Sequence, residues 1–156
     1  MSTGLGENPV DSYTTVIHPT ASGRDGPGSR DTFAAMAEYA PIDLAAKLAT
    51  FDDRWAPRTV ATLNDYDLRV VKVEGEFTRH AHPETDECFL VLDGELTIRF
   101  DDGAVTLRAG QLYVVPRGTP HQPVAAEIAE VLLIEPSATV NTGDTPGSFT
   151  ATRQEI

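Results

Sequence analysis

The chain has a single cysteine, Cys88, among its 156 residues. That excludes an internal disulfide framework and any cysteine-rich zinc site. No stretch reaches the ~18 apolar residues of a membrane-spanning helix. Basic residues are scarce as well: Lys+Arg is 12 against Asp+Glu 24, a formal charge of −12. The balance disfavours nucleic acid and anionic membranes as partners, since both select a basic face. The first residues, Met1 to Val10, carry neither a basic n-region nor an apolar run. A secretory signal is therefore not expected, and the expectation is a soluble, cytoplasmic protein.

At roughly 150 residues per domain, the length suits one domain. Gly (12) and Pro (11) are frequent, which favours many short turns over long helices. Residues 1–40 read as loop or linker, with Ala21-Ser22-Gly23-Arg24-Asp25-Gly26-Pro27-Gly28-Ser29 at their centre. Asp31-Thr32 offers a cap for a short Ala-rich turn of helix. The segment is expected to be a tail, with an arm that packs on a partner subunit as the alternative. From Pro41, the residues Ile42, Leu44, Ala45, Leu48 and Phe51 fall at helical spacing. They predict an amphipathic helix of about three turns that ends before Pro57.

Beyond Pro57 only strands are expected, at 59–63, 68–73, 88–92, 96–100, 105–107, 112–115 and 129–134. They are short, rich in Val, Ile, Leu and Thr, and separated by turns such as Asp93-Gly94 and Asp102-Gly103. Asp-Gly between apolar runs is a hairpin signal, and evenly spaced short strands mean a sandwich or closed barrel. Residues 137–156 turn polar again and are expected to form a surface return strand and a tail.

Three of the four histidines lie in the strand region. His80 and His82 are two apart, a spacing that puts both on one face of a strand. The turn Pro83-Glu84-Thr85-Asp86 would bring Glu87 alongside, and His121 follows the turn Pro116-Arg117-Gly118-Thr119-Pro120. Three imidazoles and a carboxylate suit one borderline divalent ion, Zn, Fe, Mn, Ni, Co or Cu, and disfavour an oxygen-only Mg or Ca site.

At these residues the chain resembles the cupin superfamily. The first cupin motif matches Gly75, His80, His82, Glu87 and Gly94, and the second matches Gly110, Pro116, Gly118 and His121. The short spacer 95–109 and the run from Leu133-Ile134-Glu135-Pro136 to Thr139-Val140-Asn141-Thr142-Gly143-Asp144 are similar to small single-domain bacterial cupins of the mannose-6-phosphate isomerase-like group. The departures are a spacer from Gly75 to His80 one residue short, and Ala125 where the group carries Asn. The resemblance implies an all-β, jelly-roll-like barrel of antiparallel strands with one short N-terminal helix. It implies a domain over 41–144, flanked by the arm 1–40 and a C-terminal tail 145–156. It also implies the same four ligands, His80, His82, Glu87 and His121.

Phe89 and Val91 share Glu87's strand face and should line the barrel, whereas Cys88, Leu90 and Leu92 make the opposite face apolar too. A strand apolar on both faces needs cover on both. The candidates are the other sheet, the helix, or a second subunit, and the resemblance to cupins favours a homodimer. His18 reads as a surface residue, and Cys88 as a small hydrophobe rather than a nucleophile. Lys72 and Tyr113, polar-tipped residues on apolar strands, are candidate acid/base or substrate-anchoring groups.

The expected function is metal-dependent action on a small oxygen-bearing molecule. The resemblance to an isomerase-labelled group favours a non-redox Lewis-acid isomerase, lyase or cyclase. The alternatives are an Fe(II) dioxygenase and a non-catalytic small-molecule-binding module.

Overall fold

The structure, a computed structural model, describes residues 39–156. His18 and nearly all of the expected arm 1–40 lie outside the described residues. The chain divides into two units, Met1–Pro41 and Ile42–Ile156, and the account below concerns the second.

A short helix, α1 (Leu44–Leu48), precedes seven strands: β1 (Arg58–Leu63), β2 (Tyr66–Glu76), β3 (Glu87–Asp93), β4 (Glu95–Arg99), β5 (Ala104–Arg108), β6 (Leu112–Val115) and β7 (Gln122–Pro136). Each of the seven expected strands is present, and every strand pairing is antiparallel. The order is β1-β2-β7-β3-β6, with β4 attached to β7 and β5 to β4.

The 15-residue β7 is the spine of the sheet. Its later part lies between β2 and β3, while Gln122, Pro123 and Val124 pair with Arg99, Ile98 and Thr97 of β4. Register shifts between Val73 and Gly75 and between Val91 and Asp93 bend the strands, as β-bulges do, and help the sheet curl. The result is the all-β, jelly-roll-like barrel with one short helix that the resemblance implies.

Alternation sorts the side chains. Val71, Val73, Phe89, Val91, Ile98, Val115, Val131 and Leu133 face inward and form the main core. Val70, Leu132, Leu90, Leu92 and Ile134 face outward into a second cluster, on which Leu44, Leu48 and Phe51 pack. The predicted segregation of Phe89 and Val91 from Leu90 and Leu92 is thus present, and the α1 region supplies part of the outer cover. On β6, Leu112 and Val114 remain 59% and 45% exposed.

Three expectations need correction. The helix is five residues, not about three turns. Asp43 caps it, accepting from Ala46 N at 3.0 Å, and Thr50 Oγ1 donates to Lys47 O at 2.7 Å and closes the end. Asp52 and Asp53 would also have met the negative end of a longer helix. Strand β7 begins at Gln122 rather than near 129, because the exposed Ala126-Glu127-Ile128 stretch hides its first half from an apolar pattern. Residues 145–156, read as a tail, are tied to β1: Thr59 N donates to Gln154 O at 2.7 Å and Ile156 N to Thr59 O at 3.1 Å. No helix among the described residues is long and apolar enough to cross a membrane.

Candidate metal centre

After β2 ends at Glu76 the chain leaves regular structure, so the His80/His82 pair is not displayed on a strand face. His80 makes only a single β-bridge, to His121, with His80 N donating to His121 O at 3.0 Å and His121 N to His80 O at 2.9 Å. This bridge joins the two motifs directly. Pro83 follows His82 and cannot donate to a ladder, so pairing stops there. The two imidazoles still converge, by loop geometry, with ring centroids 4.9 Å apart and planes perpendicular. Glu87, at the inward-facing start of β3, meets them.

The structure brings all four expected ligands together. One donor atom from each of His80, His82, Glu87 and His121 lies within 4.8 Å of the others, and all four side chains are buried. Ligands about 2.1 Å from one ion stand up to about 4.2 Å apart across it, close to this span. His80 Nδ1 lies 3.0 Å from Thr78 O, and His121 Nδ1 lies 2.9 Å from Thr119 O. A carbonyl only accepts, so each Nδ1 carries the hydrogen and each Nε2 of a neutral ring presents a lone pair.

Two observations test the fit to a metal. The buried Nε2 atoms of His80 and His82 have no hydrogen-bond partner. His82 Nε2 does stand 3.1 Å from Glu87 Oε2, near enough for electrostatic attraction but not aligned as a hydrogen bond. His121 Nε2 is 3.2 Å from the same oxygen. With Nδ1 already donating, a neutral His121 has no proton for that carboxylate. Two lone-pair atoms in such contact need a positive charge between them, a proton or a metal ion. The donor set therefore fits one borderline divalent ion.

Protonation follows from the same packing. Burial, reinforced by His121, lowers His80 from its ordinary 6.5 to about 4, so its Nε2 lone pair is available at neutral pH. Burial alone would push Glu87 up, but His121 and His82 outweigh it and hold the carboxyl well below its usual range.

A second device steadies the His-x-His segment. Ala81, between the two histidines, is gripped on both sides by Asp144: Ala81 N donates to Asp144 Oδ1 at 2.9 Å, and Asp144 N donates to Ala81 O at 3.0 Å. Gly143 makes the approach possible. Its φ is +50°, and a Cβ there would stand 2.1 Å from Ala81 O.

The candidate acid/base residues fare differently. Lys72 points away from the centre, on the outward parity of β2, and donates to Phe51 O at 2.8 Å with Asp52 Oδ1 at 3.4 Å. Its ammonium sits 5.7 Å from the Phe51 ring centroid, so the lysine pins the segment after α1 instead of entering the site. Tyr113 does face inward, opposite Phe89, but its ring packs on Phe100 at 5.8 Å and does not line the cavity beside the centre.

A buried charged group next to the centre was not anticipated. Arg69 bonds Glu135 Oε1 at 2.6 Å and Asp67 Oδ2 at 2.9 Å, and Arg153 Nε bonds Asp67 Oδ2 at 2.8 Å. Burial, and then the charge of Glu87, push Glu135 above the ordinary carboxylate range despite Arg69. Burial would also raise Asp67, but Arg153 and Arg69 outweigh it and hold that carboxyl well below its usual value. The sequence signal was parity: Asp67, Arg69 and Glu135 continue the inward positions of Val71, Val73 and Leu133.

Known proteins place this geometry. Residues 68–135 match the family described as "Cupin domain". A cupin-2 domain-containing protein from Shewanella frigidimarina is 46% identical, with a TM-score of 0.60 over 61% of this chain and 93% of that one. Protein NMB1881 from Neisseria meningitidis is 28% identical, with a TM-score of 0.58 over 63% of this chain and 100% of that one. The uncharacterized protein YdbB of Bacillus subtilis is 37% identical over 71 residues, 45% of this chain and 63% of its own length. The chain thus spans under two thirds of that curated relative. An all-β barrel with a buried His, His, Glu, His group defines the class, and the chain belongs to the cupin superfamily.

Proposed function

We propose that this chain is a metal-dependent enzyme acting on a small oxygen-bearing molecule. The observation that carries the reading is the buried cluster itself, with its unpartnered Nε2 atoms on His80 and His82 and a lone pair of His121 aimed at Glu87. His80 and Glu87 also line the adjoining cavity, so a ligand there reaches the centre. A divalent ion held by these residues would polarise a substrate oxygen as a Lewis acid. Thr78 O and Thr119 O would hold His80 and His121 in the coordinating tautomer, and the clasp on Ala81 would keep the two motif-one histidines in place.

A non-redox isomerase, lyase or cyclase is favoured on the resemblance to an isomerase-labelled group of small cupins. The likeness to the mannose-6-phosphate isomerase-like group is one of fold and does not supply a substrate. The proposal includes a homodimer, supported by the exposed Leu112 and Val114 on β6, which ends the sheet path among the described residues. It includes a cytoplasmic setting, where a single reduced cysteine is ordinary.

Elemental analysis of protein purified without added metal tests the centre. About one transition ion per chain is expected, with a large loss in His82→Ala, Glu87→Ala and His121→Ala. Wild-type protein that takes up no iron, manganese, nickel or zinc at neutral pH would end the reading. Oxygen uptake by the Fe(II)-loaded protein during turnover would replace the non-redox assignment with a dioxygenase. Sedimentation as a monomer at micromolar concentration would remove the dimer.

A further inference from the structure

A cavity of about 370 Å3, counted out to its opening, lies against His80 and Glu87. That figure includes open solvent, so a body lodged here extends into the opening. Its wall is apolar and aromatic: Trp55, Phe77 and Phe89 with Val71, Leu96 and Val131. Apart from the candidate ligands His80 and Glu87, the hydrogen-bonding side chains among the described lining residues are Asn141 and the indole of Trp55. Asn141 is already committed, donating to Phe149 O at 2.8 Å and accepting from Ala151 N at 2.9 Å.

Trp55 is held for the wall at some strain. Its φ is 58°, a left-handed backbone that a bulky side chain rarely adopts. The backbone N–H is tied to Lys72 O at 2.9 Å and the indole Nε1 to Glu74 O at 2.8 Å. Both polar hydrogens are therefore spent on β2. The ring stacks 4.9 Å from Phe77, and Phe149, 37% exposed, stands 5.1 Å from Phe77 on its other contact. Strained residues fixed from several sides cluster at ligand sites.

Charge points the same way. Among the described residues, no lysine or arginine lines the cavity. Arg69, the buried cation on the inner face of β2, is spent on Asp67 and Glu135, and Lys72 faces outward. A phosphate held away from the His80–Glu87 end would meet carbon walls, with no guanidinium or ammonium among the described lining residues to balance it.

Resting on the metal reading above, we infer that the cavity takes a small molecule with an uncharged apolar body, aromatic or branched aliphatic, whose single oxygen-bearing head meets the His80–Glu87 end; a sugar phosphate does not fit.

The only tryptophan in the sequence is Trp55, so intrinsic fluorescence reads this wall alone. The experiment titrates zinc-loaded protein with benzohydroxamate, with acetohydroxamate (the same head without the ring) and with mannose 6-phosphate, while zinc per chain is measured on the same samples. A saturable change in Trp55 emission is expected with benzohydroxamate, at an affinity at least about tenfold above acetohydroxamate, as burial of a ring implies. Mannose 6-phosphate at millimolar concentration should leave the emission unchanged. Val73→Phe, which fills the cavity, should abolish the preference for the ring while zinc stays near one per chain. Equal affinity for the two hydroxamates, or tighter binding of mannose 6-phosphate, in protein carrying its zinc would overturn this inference and leave the metal reading standing. If the protein takes up no zinc, the titration uses whichever of iron, manganese or nickel it binds, and if it binds none of them the metal reading fails. Toluene added to the metal-free protein then decides the cavity: a saturable Trp55 response upholds the apolar body, and no response overturns it.

Discussion

Two buried polar groups adjoin inside the barrel and are built on opposite plans. One is the set His80, His82, Glu87 and His121. The other is Asp67, Arg69 and Glu135, reached from outside by Arg153. Cys88 pairs with Ile134, which sets Glu87 beside Glu135 on the inner face, and Asp67 pairs with Glu135. In the charged group, Arg69 donates to Asp67, to Glu135 and to the carbonyls of Ser137 and Thr139, and Ser137 Oγ donates to Asp67 at 2.8 Å. Only Glu135 Oε2 is left over in that group. In the histidine group the donors point at each other and two Nε2 atoms have nothing to bond. A self-satisfied network locks strands together, whereas a cluster of converging lone pairs is complete only with a cation. Burial is the same in both, so it is hydrogen-bond saturation that separates a structural lock from a binding centre.

Removing the lock should have the largest effect. Arg69→Met leaves Glu135 buried without its cation and Asp67 with Arg153 alone, and should lower unfolding stability by about 3 kcal/mol in urea melts. Folded protein should still take up metal. A loss under about 1 kcal/mol would erase the distinction between the two groups.

Next comes the pH response of the metal-free histidine cluster. His80 protonates at about 4 in the fold and at 6.5 as an ordinary side chain. Between those values the unfolded chain binds more protons, so the contribution is complete above the ordinary value and is lost as pH falls toward the lowered one. The shift corresponds to about 3 kcal/mol at most. Urea melts of metal-free protein across this window should show the fall, and His80→Gln should flatten part of it. Stability that does not change with pH there would mean that His80 is not held neutral by its surroundings.

Asp144→Ala sharpens the contrast from the outside. It removes the acceptor for Ala81 N while leaving every ligand in place. Zinc affinity, measured by competition with a chelating dye, should fall about tenfold at unchanged stoichiometry. Asp144→Asn keeps an acceptor oxygen and should recover most of the affinity. The smallest effect is expected from Lys72→Met: a stability change under about 1 kcal/mol, with metal content unaltered. Loss of metal in that variant would return Lys72 to the site.

Much of this was legible in the sequence because the signals are local. Alternation with a period of two separated Val71, Phe89 and Val91 from Val70, Leu90 and Leu92, and Asp-Gly turns marked the hairpins. The four ligands were readable because imidazole pairs and a carboxylate recur at turns. The strand argument for His80 and His82 still misdescribed their route, since they converge from a loop. Lys72 was misread because a lysine on an apolar strand looks the same whichever face it takes, and its partner Phe51 O lies 21 residues away. Asp67, Arg69 and Glu135 carry the right parity, yet charges there read equally as solvent-exposed until the pairing is known.

What the sequence by itself determined, then, is the sheet, the inner and outer faces, and the identity of the converging donors, because each depends on neighbours a few residues apart. Only the tertiary structure decided that Asp144 clasps Ala81 across 63 residues, that Trp55 is bent into a left-handed conformation to wall a cavity, and that Arg69 is spent inside the barrel. Those outcomes depend on which distant backbone groups and charges are left unpaired once the strands have closed. That balance is settled by the whole packed barrel, and no short window of sequence contains it.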